Sequence, residues 1–142
     1  VFVVLSEALT QYSLVQDDIV TGVFLYYFVG LVISRFGSLA IEPMLKRVSF
    51  LQFAEYKEFV AACKEDEKIE LLSEVNNTYR TLSSLFLLLL LLKLYEWVEG
   101  RVPVLKDWGA IVLAVLLTIM FLLAYRKQTN YIRKRVTIQA DE

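Results

Sequence analysis

Apolar residues along this chain gather into three long blocks separated by polar, charged stretches. The first block runs from Ile19 to Ile41, 23 residues interrupted only by Arg35. At the rise of an α-helix this is enough to cross a hydrocarbon core of about 30 Å. The second is Thr81 to Val98, apolar without a break from Leu85 to Leu92, with Lys93 and Glu96 near its end, where long side chains can snorkel to the interface. The third, Trp108 to Tyr125, is 18 residues with no charge and an aromatic residue at each end, as an interfacial belt requires.

Between these blocks the pattern changes. Residues 42–80 form the one sizeable polar segment. Glu42-Pro43 suits the start of a helix, because a proline at the first helical position lacks only an N–H that has no partner there. Phe50, Phe53, Tyr56, Phe59 and Val60 then recur at helical spacing among Glu55, Lys57 and Glu58, which predicts an amphipathic helix of about 15 residues. Its aromatic face either rests on the inner end of the bundle or the headgroup layer, or docks a cytosolic protein. Asp66 is the expected N-cap of a further helix. No Gly or Pro follows until Gly100, so the second span belongs to one helix of about 33 residues whose first turns project from the membrane as a stalk.

Composition turns these blocks into a class. The chain of 142 residues is 57% hydrophobic and 22% charged, with a mean hydropathy of +0.53. A soluble protein would need a polar shell over three such blocks, and too few residues remain to supply it. The expectation is an all-α integral membrane bundle with three visible spans and a helical hairpin or stalk on one side. Its divisions are 1–18, a segment outside the cytoplasm or the end of a preceding span; 19–41; the helical segment 42–80; 81–98; an outer loop at 99–107; 108–125; and a basic tail at 126–142.

Charge then orients the bundle. Seven of the fifteen Lys and Arg residues lie from Arg35 to Arg80 and five in the tail, whereas the loop after the second span has Lys93, Arg101 and Lys106 offset by Glu96, Glu99 and Asp107. Because basic residues are retained on the cytoplasmic side, residues 42–80 and the C-terminus are expected in the cytoplasm. Residues 1–18 carry no Lys or Arg, which places them outside and predicts a fourth span upstream, ending around Val1 to Leu5.

Three finer patterns bear on function. Ser73, Asn76, Asn77, Arg80 and Ser84 lie on one helical stripe running from the stalk into the second span. They are either a pore lining or polar groups that bond neighbouring helices. Small residues make two ridges, Gly22, Gly30, Ser34 and Ser38 on the first span and Ala110, Ala114 and Thr118 on the third; of these Gly30, Ser34, Ser38, Ala110 and Ala114 are the expected oligomer contacts, although packing within one chain explains them as well. Arg35 is the one charge inside the first block. It is an inner-leaflet anchor, with Glu42 or a lipid phosphate as its nearest partner, or else a gate.

The chemical inventory is thin. There is no His and one thiol, Cys63, so histidine acid–base chemistry, a Cys/His pair, a multi-thiol zinc site and an intrachain disulfide all lack their residues. No phosphate-binding glycine loop or nucleophile elbow is present. Glu65, Asp66, Glu67, Glu70 and Glu74 alternate with Lys64 and Lys68 as a solvated face does. No catalytic residue, metal or cofactor is expected, and a net charge of −1 gives no field for nucleic acid. Asn76-Asn77-Thr78 matches a glycosylation sequon but sits on the cytoplasmic stalk, away from the glycosylating enzyme.

The stretch from Arg35 to Lys46, Arg-Phe-Gly-Ser-Leu-Ala-Ile-Glu-Pro-Met-Leu-Lys, is followed by a short acidic helical excursion and by Asn76-Asn-Thr-Tyr-Arg80 entering a leucine-rich span. This arrangement resembles the small polytopic membrane subunits of bacterial anti-phage defence systems, the Kiwa-type membrane component in particular. The resemblance implies an oligomer of the bacterial inner membrane that responds to infection together with a cytosolic effector subunit. It assigns no role to any single residue. Two functions stay open: a membrane scaffold or sensor that docks a cytosolic partner, and a small oligomeric channel or membrane-disrupting effector. Leu85 to Leu92 offers no polar face at the bilayer centre, so the second span cannot line an aqueous path alone, whereas the first, with Thr21, Gly22, Tyr26, Gly30 and Ser34, could. The scaffold or sensor is the favoured expectation.

Overall fold

The computed structural model describes residues 1–140, and among them every regular element is helical. A short helix α1, Phe2–Leu9, is followed by α2, Ile19–Phe36. Asp18 caps α2, its carboxylate accepting from the Thr21 N–H at 2.7 Å and the Thr21 hydroxyl at 2.6 Å. A π-helical turn over Gly37–Ile41 then leads without a break into α3, Glu42–Arg47.

Here the structure corrects the expectation that Glu42-Pro43 opens a new helix. The helix runs straight through. Pro43 cannot donate an N–H, and its ring would collide with the carbonyl four residues back in an unbroken α-helix. The wider π turn takes up this misfit, with the Glu42 N–H reaching back five residues to Gly37 O.

α3 ends at a Schellman cap: the Ser49 N–H bonds to Lys46 O and the Phe50 N–H to Leu45 O. Ser49 takes the left-handed conformation, φ 58°, that this cap demands. The chain then has no regular structure until α4, Tyr56–Glu65. The predicted 15-residue aromatic helix is therefore a ten-residue helix, with Phe50 and Phe53 in the segment before it.

α5, Glu67–Glu99, is the single 33-residue helix the sequence predicts. Asp66 caps it by accepting from the Lys68 N–H at 2.9 Å, and Glu67 and Glu70 in the first turn suit its positive end. A turn at residues 100–102 gives way to α6, Pro103–Ala140, 38 residues long. Two expectations are corrected by this helix. The loop foreseen at 99–107 shrinks to that turn, and the basic tail continues the third span as helix to Ala140. Asp141 and Glu142 lie outside the described residues.

Three helical stretches, Ile19–Arg47, Glu67–Glu99 and Val104–Ala140, are long and apolar enough to cross a membrane. They are held together by a small core in which Ile33 of α2 meets Leu85 and Leu89 of α5, with Phe2, Leu5 and Val29 packed around them. α6 joins through the Phe28 and Phe121 rings, 6.1 Å apart, and through buried Ala124. Elsewhere the apolar surface faces outward. Ile111, Val112, Leu113, Val115 and Leu116 are all exposed, and they cover more than half the circumference of α6.

Candidate functional site

One end of the bundle gathers cations from three helices onto a single carboxylate. Glu42, only 9% exposed, accepts from Arg80 Nη1 of α5 at 2.9 Å and from Lys46 Nζ, one turn along α3, at 3.0 Å. Lys127 Nζ of α6 stands 3.5 Å from the same carboxylate and donates to Ser38 O at 2.7 Å and Ser38 Oγ at 2.8 Å. The π turn brings this about, because it exposes the Ser38 carbonyl and turns Glu42 inward. Of the two partners the sequence offers Arg35, Glu42 or a lipid phosphate, Glu42 is taken by Arg80, Lys46 and Lys127.

The helices meet closely just beside this cluster. Gly37 is buried, and a Cβ placed on it would lie 2.2 Å from Ser84 Oγ and 3.2 Å from Arg80 Cγ. Ser84 has no exposed surface, and its hydroxyl is bonded to Arg80 O of its own helix at 2.7 Å. Absence of a side chain at Gly37 thus allows α2 and α5 into contact. Arg80 Nε is buried without a hydrogen-bond partner.

These contacts divide the predicted polar stripe. Arg80 and Ser84 are engaged between helices, whereas Asn76 and Asn77 are exposed on α5 below the cluster and Ser73 is half-buried. No continuous polar face enters the span. The small-residue ridge also divides. Ser38 belongs to Lys127, and Ser34 is half-buried. Gly30 has nothing within 4 Å of a Cβ built there, and Ala110 and Ala114 are exposed. Gly37, which sequence reasoning left off the ridge, is the position where backbones meet.

Beyond the Glu42 level both long helices continue, α5 over residues 67–79 and α6 over 128–140, each for roughly 20 Å. α4 lies against them. Its Val60 is buried, and the Tyr56 ring sits 5.8 Å from that of Tyr131 on α6. The four aromatics expected to form one docking face are dispersed: Tyr56 packs on α6, Phe59 is half-buried, and the Phe53 ring lies 4.1 Å under Lys46 Nζ. Only Phe50 stands out, 74% exposed. An open cleft of about 590 Å³ separates α4 from α6, between Glu55, Tyr56 and Lys57 on one side and Arg133, Lys134 and Thr137 on the other.

The opposite end is acidic and aromatic. The Tyr12 hydroxyl donates to Glu99, the Gln11 N–H donates to Glu96 Oε1 at 3.2 Å, and Lys93 pairs with Glu96 at 2.7 Å. Burial and the neighbouring Glu99 carboxylate push the Tyr12 phenol up to about 12. Arg101 lies over the Trp97 ring at 3.7 Å. Among the described residues no three Cys, Asp or Glu side chains gather as a metal site would need. No protein-family model, curated protein or solved structure matches the chain.

Proposed function

We propose that this chain is a membrane-embedded scaffold or sensor subunit that self-associates and holds a soluble protein partner at its basic end. The observation that carries this reading is the three-helix head. α5 and α6 both run about four turns past the level of Glu42, and α4 braces them, with Phe50 and the cleft beside Tyr56 left open. Helix of that length beyond an apolar span serves no need of the span itself. Twelve of the fifteen cations lie in or beside the head when Arg35 is included, so it is assigned to the cytoplasm and the turn at Gly100 to the other side.

Gly30, Ala110 and Ala114, small and turned outward, are the surface proposed for contact between copies. The resemblance to Kiwa-type membrane subunits adds the proposal that the bundle lies in a bacterial inner membrane, serves anti-phage defence, and has an effector subunit as its soluble partner. The channel reading fares worse. Arg80 and Ser84 are spent on contacts inside the chain, which favours the helix-bonding alternative for the polar stripe over a pore lining.

A photo-crosslinking residue in place of Phe50 tests the scaffold, with Ile111 as the contrasting position. At Phe50 a discrete cross-linked band should contain a soluble protein that also copurifies with the unmodified chain. Ile111 should yield only lipid and further copies of this chain. Ion flux through reconstituted protein, with no soluble protein captured at Phe50, would replace the scaffold by the channel.

A further inference from the structure

The cation cluster is not balanced within the chain. Four cations lie at this end of the bundle, Arg35, Lys46, Arg80 and Lys127. Lys46, Arg80 and Lys127 pair with one carboxylate, Glu42. Arg35 is different: it makes no ion pair or hydrogen bond among the described residues, although it is half-buried on a membrane-length helix. A guanidinium in that setting needs an anion, because leaving its five donors without partners in an apolar layer is costly.

The geometry shows where that anion fits. Arg35 and Lys127 flank a cavity between α2 and α6, with Ser38, Gln128 and Tyr131 and the apolar Leu39 and Ala124 completing its wall. Its volume is about 20 Å³, room for roughly one water-sized atom. One non-bridging oxygen of a phosphate can enter while the rest of the group stays outside. Lys127 Nζ is already held by Ser38 and Glu42, so it contributes a fixed positive charge. Arg35 keeps its planar fork of N–H donors for bidentate contact with two phosphate oxygens.

Depth selects the bearer of the phosphate. Arg35 lies 16 residues along α2 from Ile19, about 24 Å by helix rise, close to the far boundary of a hydrocarbon core that begins near Ile19. The backbone there is about 6 Å short of the boundary of a 30 Å core, a gap that the long Arg35 side chain can cross by snorkelling to the lipid phosphates. We infer that Arg35 and Lys127 form a binding site for the phosphate of an anionic phospholipid, seated between α2 and α6 at the basic end of the bundle. The inference rests on the chain crossing a membrane and not on the docking of a soluble partner.

The test uses the full chain in a neutral detergent, titrated with phosphatidylglycerol, with phosphatidylcholine, or with inorganic phosphate, and read by native mass spectrometry and thermal unfolding. Phosphatidylglycerol should bind and raise the unfolding temperature, while phosphatidylcholine and inorganic phosphate do so weakly or not at all. Arg35→Gln should weaken phosphatidylglycerol binding about tenfold, the loss expected of one charge-assisted contact. The variant should fold, since Arg35 makes no ion pair or hydrogen bond among the described residues. Arg126→Gln, which removes the same charge one residue from Lys127 at an exposed position, should leave binding within twofold. Equal effects of inorganic phosphate and lipid would overturn the lipid assignment in favour of a simple anion site. Equal losses in Arg35→Gln and Arg126→Gln would overturn the site itself and reduce the effect to surface charge.

Discussion

Glu42 and Gly37, five residues apart in sequence, decide how three helices meet. Glu42 is the one anion among three committed cations, so its removal leaves those charges facing each other in a half-dry setting. Breaking such a pair from one side typically costs about 3–5 kcal/mol, and the lower figure applies here because Lys46 is 43% exposed. Glu42→Gln should accordingly lose about 3 kcal/mol of stability in detergent, measured by denaturant unfolding, and adding Arg80→Gln should return part of that loss. At Gly37 the penalty is steric. Gly37→Ala drives a methyl group into Ser84 Oγ and should cost about 1–3 kcal/mol; combined with Ser84→Ala, which removes that oxygen, it should cost at most half as much. Strictly additive losses would show that the two residues do not meet. Of these contacts, only the pair of Glu42 and Lys46 was legible in the sequence, being one helical turn apart. Arg80 and Lys127 reach Glu42 from 38 and 85 residues away, and no local pattern encodes such a distance.

At the scale of elements, long apolar runs and capping residues spoke clearly. Asp66, followed by more than thirty residues without Gly or Pro, gave α5 its length and both its ends. The same reasoning would have extended α6, since neither residue type occurs between Gly109 and Ala140. Charge begins after Tyr125, but charge ends an apolar run without ending a helix, and α6 continues to Ala140. The aromatic helix failed for a different reason. Phe50 and Phe53 do fall at helical spacing, but Ser49 accepts a left-handed conformation that closes α3, and serine gives little sign of it in sequence. A non-glycine residue there costs about 1–2 kcal/mol, so Ser49→Gly should raise stability by about 1 kcal/mol without changing helix content by circular dichroism. A loss of stability on that substitution would mean that the cap is not formed as described. Pro43 carries the same lesson: the sequence places it well at a helix start, yet the π turn at residues 37–41 lets the helix pass through it.

The molecule as a whole is a polarised object. Its basic end bears the Glu42 cluster, Arg35, which has no ion pair among the described residues, and a helical head, while its other end bears Tyr12, Glu96 and Glu99 around the turn at Gly100. Little of the apolar surface between is buried by the chain itself, and three of its helices are long and apolar enough to cross a membrane. The scaffold, partner and lipid proposals all require that the two ends lie on opposite sides of one membrane. Single cysteines at Asn76, Asn130, Gly100 and Leu116 in a Cys63→Ala background, challenged with a membrane-impermeant thiol reagent in intact cells and in inverted vesicles, measure this directly. Asn76 and Asn130 should react only in inverted vesicles, Gly100 only in intact cells, and Leu116 in neither. Labelling of Gly100 and Asn76 from the same side would contradict the account, because α5 could not then cross the membrane between them.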